Sequence, residues 1–264
     1  MLKSINPKTV FYDLETVPDI DLMRRVYEMQ SDVFSDEEVL TEAYKRHGAT
    51  PENPTPFLKP MFHKIIVAGA IFRNVSFHDS ITITELKIHT LPMAGTGLGT
   101  IPTEKEMIQR LLAFVSRNQA QLVGWNSDGF DWLVLMQRAL INGCVIPDIC
   151  KRPNKPWEGN DYFARFSDAR LDLMTTLAGQ GNYQARLKLS DTALALGFAG
   201  KEGMDGSMVY DAWKEGRLAE IVKYCNHDCA MVYKIWLRVA LMAGLLTYEQ
   251  VEAEQEQLRQ LMEV

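Results

Sequence analysis

The chain is poor in cysteine, and its four, Cys144, Cys150, Cys225 and Cys229, include no C-x-x-C pair. Four scattered thiols in 264 residues fit buried cysteines of an intracellular protein better than a disulfide framework. Cys225, His227 and Cys229 lie close in sequence, but a structural zinc site needs a second ligand cluster at the usual spacing and none follows. No apolar run approaches membrane-spanning length. The opening MLKSINPKTVFYDLE lacks the continuous apolar segment of a secretory signal, so a cytoplasmic address is the expectation. Positive charge is in deficit, with 28 Lys and Arg against 34 Asp and Glu and a net charge of −6. That argues against a protein that coats nucleic acid with a basic surface. It leaves a nuclease open, because carboxylates gathered to hold cations add to an acidic excess, and bound cations then dominate the field a phosphate feels. The glycines at 95, 97 and 99 do not make G-x-G-x-x-G, and no Gly-Lys-Ser/Thr follows to cradle a nucleotide.

Hydrophobic residues make up 47% of the chain, enough for a sizeable core. Strand and helix patterns alternate without a flexible linker, repeat or low-complexity tract, which predicts one α/β domain over 1–264. Residues 8–16 read as a strand. Residues 18–60 read as a helical insertion packed over the domain, ending in prolines at 51, 54, 56 and 60. HKIIVAGAIFRNV and SITITELKIHT read as a hairpin, the second run with a bulge near Glu85. Thr103 and Glu106 form a capping box before a helix that runs to about Asn118. AQLVGW is a short strand closed by Asn126, and FDWLVLMQRALIN is a helix stopped by Gly143. An irregular stretch from Val145 to about Ala169 precedes RLKLSDTALALGF, helical up to Gly197. A long helix spans about Leu218 to Ala243, and Thr247 with Gln250 caps another in a 244–264 extension.

FYDLET, residues 11–16, places two acids in a run that otherwise reads as a buried strand. Side chains two apart on a strand share a face, so Asp13 and Glu15 stand side by side. They are either solvated acids at a strand end or two ligands of a divalent cation, whose charge cancels their repulsion. GWNSDGFDW places Asp131 in the first turn of a helix after a strand, where the helix dipole also favours an acid. YCNHD puts Tyr224 and Asp228 one turn apart on one face of the last long helix, an arrangement that a buried tyrosine and its acceptor would share. Asp172 in RLDLM reads as a strand-end or helix-capping acid. Residues 151–166, KRPNKPWEGNDYFARF, interleave Lys151, Arg152, Lys155 and Arg165 with Trp157, Tyr162, Phe163 and Phe166. Such a segment suits either a single-strand groove of phosphate contacts and stacking platforms or a loop whose aromatics plug the core.

Three weak signals in one order are stronger than any alone. D-x-E on the first strand, N-x-x-x-F-D at a strand-to-helix junction and Y-x-x-x-D on a late helix resemble the DEDD exonuclease superfamily in its tyrosine subtype. The histidine subtype has His five before the last Asp, where Lys223 stands here. More narrowly, residues 9–243 are similar to the proofreading exonuclease domain of family B DNA polymerases and to the stand-alone bacterial family predicted from it, including FHK before the second strand and GFAGKEGMDGS at 197–207. The resemblance implies a ribonuclease H-like fold, a mixed sheet of about five strands with helices on both faces and the first strand central. It implies a 3′-to-5′ exonuclease that releases nucleoside monophosphates from single-stranded nucleic acid, DNA in particular, using two Mg2+ or Mn2+ ions. Asp13 would bridge both cations, Glu15 and Asp228 would complete the first site, and Asp131 would hold the second. Tyr224, with Glu15, would orient the attacking water. Asn126, Leu14, Phe130 and Lys201 are substrate contacts on this reading, although Leu14 and Phe130 equally suit the core. Arg170 stands where a histidine is expected in the family. An RNA-trimming exoribonuclease with the same acids, and an inactive nucleic-acid binding protein on the same fold, are the alternatives.

Overall fold

A computed structural model describes residues 2–78, 81–92, 101–155, 157–164, 167–179, 181–198 and 203–263. Among these residues five strands form one mixed sheet in the order β3-β2-β1-β4-β5. Strand β1 (Lys8–Pro18) is central, antiparallel to β2 (His63–His78) and parallel to β4 (Gln121–Gly124). Strand β3 (Ile81–Ile88) extends the antiparallel side, and β5 (Arg170–Asp172) the parallel side. This is the ribonuclease H-like arrangement that the resemblance implied.

A strand covered on both faces needs apolar residues at successive positions rather than at alternate ones, and the run VFY in β1 meets that need. Val10, Tyr12 and Leu14 face helices α3 (Glu104–Asn118) and α4 (Asp131–Ile141). Phe11 turns the other way, against Tyr233 and Trp236 of α9 (Leu218–Met242). Helix α10 (Tyr248–Met262) packs Val251 and Leu258 into that second layer. The 18–60 region folds as expected into two helices, α1 (Ile20–Tyr27) and α2 (Asp36–Arg46), around a small core that includes Met23, Val39, Ala43, Leu58 and Phe62. Between β4 and β5 lies α5 (Pro147–Cys150), a short helix inside the stretch read as irregular. Beyond β5 come α6 (Leu173–Ala178), α7 (Leu189–Ala195) and α8 (Val209–Lys214). The capping boxes at Thr103–Glu106 and Thr247–Gln250 are both formed. No helix among the described residues is long and apolar enough to cross a membrane.

Two local expectations are corrected. The bulge does not fall near Glu85, since β3 pairs with β2 without interruption from Ile88 to Ile81. Strand β3 is an edge strand with Leu86 buried and Ile83 exposed on the surface, and an apolar residue on the open face mimics a change of phase. The register shift lies instead between Glu15 and Thr16, where Ile66 of β2 is the extra residue. Strand β4 also ends at Gly124, and Asn126 lies beyond it in the following turn.

Candidate active site

The central strand brings Asp13 and Glu15 to the middle of the molecule, and a glycine opposite them lets the last long helix approach. Asp13 pairs across the sheet with Gly69, where an added Cβ would lie 2.7 Å from Cys225 Sγ. Any larger residue there would have to displace the Cys225 sulfur. With glycine, α9 lies close enough for Cys225 Sγ to donate to the Asp13 carbonyl at 3.4 Å, and it sets Tyr224 and Asp228 beside the two acids of β1.

Asp131 arrives from the other side, on the first turn of α4. The turn that delivers it is held by Asp172, which accepts from the backbone N–H groups of Asn126 (3.0 Å) and Asp128 (3.2 Å) and caps α6 through Thr175. Asp172 is thus the capping acid that its position in the sequence suggested. Asn126 adopts a left-handed backbone (φ 56°), which asparagine tolerates better than most residues. A Cβ at Gly129 would lie 2.5 Å from Asn126 Oδ1, so glycine leaves room for that side chain to fold over the turn. Arg170 reinforces the same turn: it pairs with Asp128, donates to the Tyr162 carbonyl at 2.7 Å and lies 4.5 Å over the Trp132 ring.

The electrostatics follow from this crowding. Glu15, Asp131 and Asp228 are only 5–6% exposed. Burial pushes the Asp13 carboxyl well above the usual range, and Glu15, Asp228 and Asp131 push it further in the same direction. Asp131 is pushed up to about 7, first by burial and then by Asp172 and Asp228, against the pull of its own N–H and that of Leu14. Tyr224 hydrogen-bonds Asp228, and burial together with the charges of Asp228, Glu15 and Asp13 holds its hydroxyl protonated far above its ordinary range. His227 Nδ1 lies 3.8 Å from Asp228 Oδ1. Asp13, Glu15 and Cys225 can bring one ligand atom each within 4.8 Å of one another. Carboxylate oxygens are the donors that hard divalent cations prefer, and bound cations would offset both the burial of charge and the mutual repulsion that push Asp13 and Asp131 up. The donor set therefore fits Mg2+ or Mn2+.

The five residues Asp13, Glu15, Asp131, Tyr224 and Asp228 are thus brought together. Of the substrate contacts expected from sequence, Asn126 borders the site, and its side-chain Oδ1 has no hydrogen-bond partner among the described residues. The Leu14 side chain is in the core at 4% exposure, and its backbone N–H is what reaches Asp131. Phe130 is half-buried, with its ring against His63 and Phe57. Lys201 lies outside the described residues, as do Arg165 and Phe166 of the basic-aromatic segment. Within that segment Tyr162 is core, its hydroxyl donating to the Ala120 carbonyl, while Trp157 is exposed beneath Lys155. Lys155 and Arg152 line a polar cleft with Asn6 and Asp168, at the end where β1, β4 and β5 begin. The stretch of β1 from Lys8 to Asp13, about 17 Å of extended strand, separates that end from the acids. Sequence reasoning missed His63 and Phe57 beside Phe130, and the FHK and PTPF segments were the available signal.

No curated protein matches the sequence. Among solved structures, the family B DNA polymerase from the hyperthermophilic archaeon Pyrobaculum calidifontis matches with a TM-score of 0.48 and 14% identity, over 90% of this chain and 25% of the polymerase. The chain therefore spans about a quarter of that protein. Residues 55–264 match the model of a family described as a predicted 3′-5′ exonuclease related to the exonuclease domain of PolB, and at that coverage the chain belongs to this family.

Proposed function

We propose that the protein is a divalent-metal-dependent 3′-to-5′ exonuclease acting on single-stranded nucleic acid, DNA in the first instance, with Asp13, Glu15, Asp131 and Asp228 as cation ligands and Tyr224 as the group that orients water. The observation that carries this reading is the convergence of four acids, from three segments far apart in sequence, on one spot where the carboxyls of Asp13 and Asp131 are pushed above their usual range. When bound, two divalent cations supply Lewis acidity: they activate water, offset charge on the phosphoryl oxygens and assist departure of the 3′ oxygen. Asp13, Glu15, Asp131 and Asp228, which bear on one another electrostatically, would hold the cations. Tyr224 stays protonated, so it acts as a hydrogen-bond donor rather than as a base. With its one proton donated to Asp228, the hydroxyl would orient the attacking water by accepting a hydrogen bond from it, beside Glu15. The turn held by Asp172 and Arg170 keeps Asp131 in place while the substrate exchanges.

The test is incubation of the protein with end-labelled single strands of DNA and RNA, with manganese and with chelator. Stepwise shortening from the 3′ end of DNA, only with the metal, is the expected result. Shortening of RNA alone would replace the DNA reading with an exoribonuclease, and no shortening of either would leave a binding protein.

A further inference from the structure

Phe57 is a large apolar side chain left 70% exposed, yet it is held in place from three directions. Its chain neighbours Pro56 and Leu58 are both buried, so the backbone on either side is anchored and the ring alone projects. Prolines at 54, 56 and 60 restrict the arm further, because each fixes its own φ. The ring stacks on His63 with centroids 5.1 Å apart and planes at 29°, and meets the Phe130 ring edge-on at 5.2 Å. His63 is fixed in turn by Thr16 at 3.0 Å and by the Leu58 carbonyl at 3.2 Å, and it meets Phe130 at 5.0 Å. Burial pushes His63 down to about 4, so the cluster is uncharged at neutral pH. Phe130 directly precedes Asp131. The exposed ring therefore rests on two residues that border the acids in sequence: Phe130, which precedes Asp131, and His63, which bonds Thr16 next to Glu15.

We propose that Phe57 is a stacking platform for a nucleobase at the 3′ end of the substrate, and that presenting it is a task of the 18–60 insertion. The proposal rests on the nuclease reading and adds the residue that grips the base. Stacking suits an enzyme that must accept every base, since each offers a π-face. It also sidesteps an electrostatic difficulty: the acids repel a phosphate until cations arrive, and an uncharged contact grips the strand without meeting that repulsion.

The test uses an oligodeoxynucleotide ending in 2-aminopurine, whose fluorescence falls when the base stacks. It is added to Asp13→Asn protein, which leaves the strand intact, and to the same protein carrying Phe57→Ala. Quenching that needs about ten-fold more protein in the second case is expected, with an equal rise in KM when Phe57→Ala is made in the otherwise native enzyme. Phe57→Trp should restore both readouts and Phe57→Leu should not, because leucine keeps the apolar bulk without a π-face. Because the side chain is exposed, the melting temperature should hold within a few degrees, so loss of folding does not cloud the result. Release by the native enzyme that Phe57→Ala leaves within two-fold overturns the platform alone. No release by the native enzyme overturns the nuclease reading on which it stands.

Discussion

Asp13→Ala is expected to lower the rate of nucleotide release by at least about 10³-fold, with much less effect on strand binding. Asp13 lies at the centre of the acidic cluster: Glu15, Asp228 and Asp131 all bear on it. A group in that position, shared by two cations, would lose both when removed. Charge stabilisation by catalytic cations contributes several kcal/mol, and each 1.4 kcal/mol corresponds to about ten-fold in rate. Single-turnover kinetics on an end-labelled strand measure the loss. A fall of less than ten-fold would mean that the acids are gathered for another purpose. Because Asp13 contributes no side chain to the apolar layers, the substitution should leave the fold intact.

Arg138→Ala is expected to destabilise the fold by about 3–5 kcal/mol, the usual penalty for stranding buried partners of a charge. Arg138 is 2% exposed and donates to both oxygens of Glu104 at 2.7 and 2.6 Å, to Asp19 at 2.6 Å and to the Met61 carbonyl at 3.0 Å. It is the point where the 18–60 region, the start of α3 and α4 are joined. Glu104 also accepts from the Ile65 N–H at 2.8 Å, so the network reaches β2. Without the guanidinium, Glu104 and Asp19 would face each other buried and uncompensated. Urea unfolding measures the change. A loss below 1 kcal/mol would show that the insertion is held by its apolar core of Met23, Val39 and Phe62 alone.

The fold was readable where periodicity and capping agreed. Thr103–Glu106 and Thr247–Gln250 announced their helices, and the apolar run through Val10, Phe11 and Tyr12 announced a strand covered on both faces. For the five proposed site residues, strand and helix spacing showed only that Asp13 shares a face with Glu15 and Tyr224 with Asp228; their grouping came from the order of the three motifs and the resemblance it carries. What sequence did not show depends on long-range register. Gly69 reads as an ordinary small residue in β2, and only the approach of Cys225 explains it. Phe57 reads as part of a proline-rich connection, and its exposure follows from the burial of Pro56 and Leu58 on either side. The basic-aromatic segment at 151–166 was legible as chemistry but not as location, since its distance from Asp13 is set by the order in which β4 and β5 join the sheet.

Crowded acids make a second, sign-specific claim about stability. A carboxyl such as Asp131, pushed up to about 7 in the fold against about 3.9 in an unfolded chain, stabilises the fold below pH 4, and this contribution is lost as pH rises through 7. At pH 8, without cations, the cluster opposes folding. His63, pushed down to about 4, acts in the opposite sense below pH 6.5, so each comparison is best made between two proteins at one pH. The decisive measurement is the melting temperature of native and Asp13→Asn protein at pH 8 and pH 5.5, with chelator and with manganese. In chelator at pH 8, Asp13→Asn should melt above the native protein, manganese should raise the native melting temperature, and both differences should shrink at pH 5.5. If Asp13→Asn melts lower at pH 8 and manganese leaves the native protein unmoved, the acids are not held against their mutual repulsion, and the metal-site account is wrong.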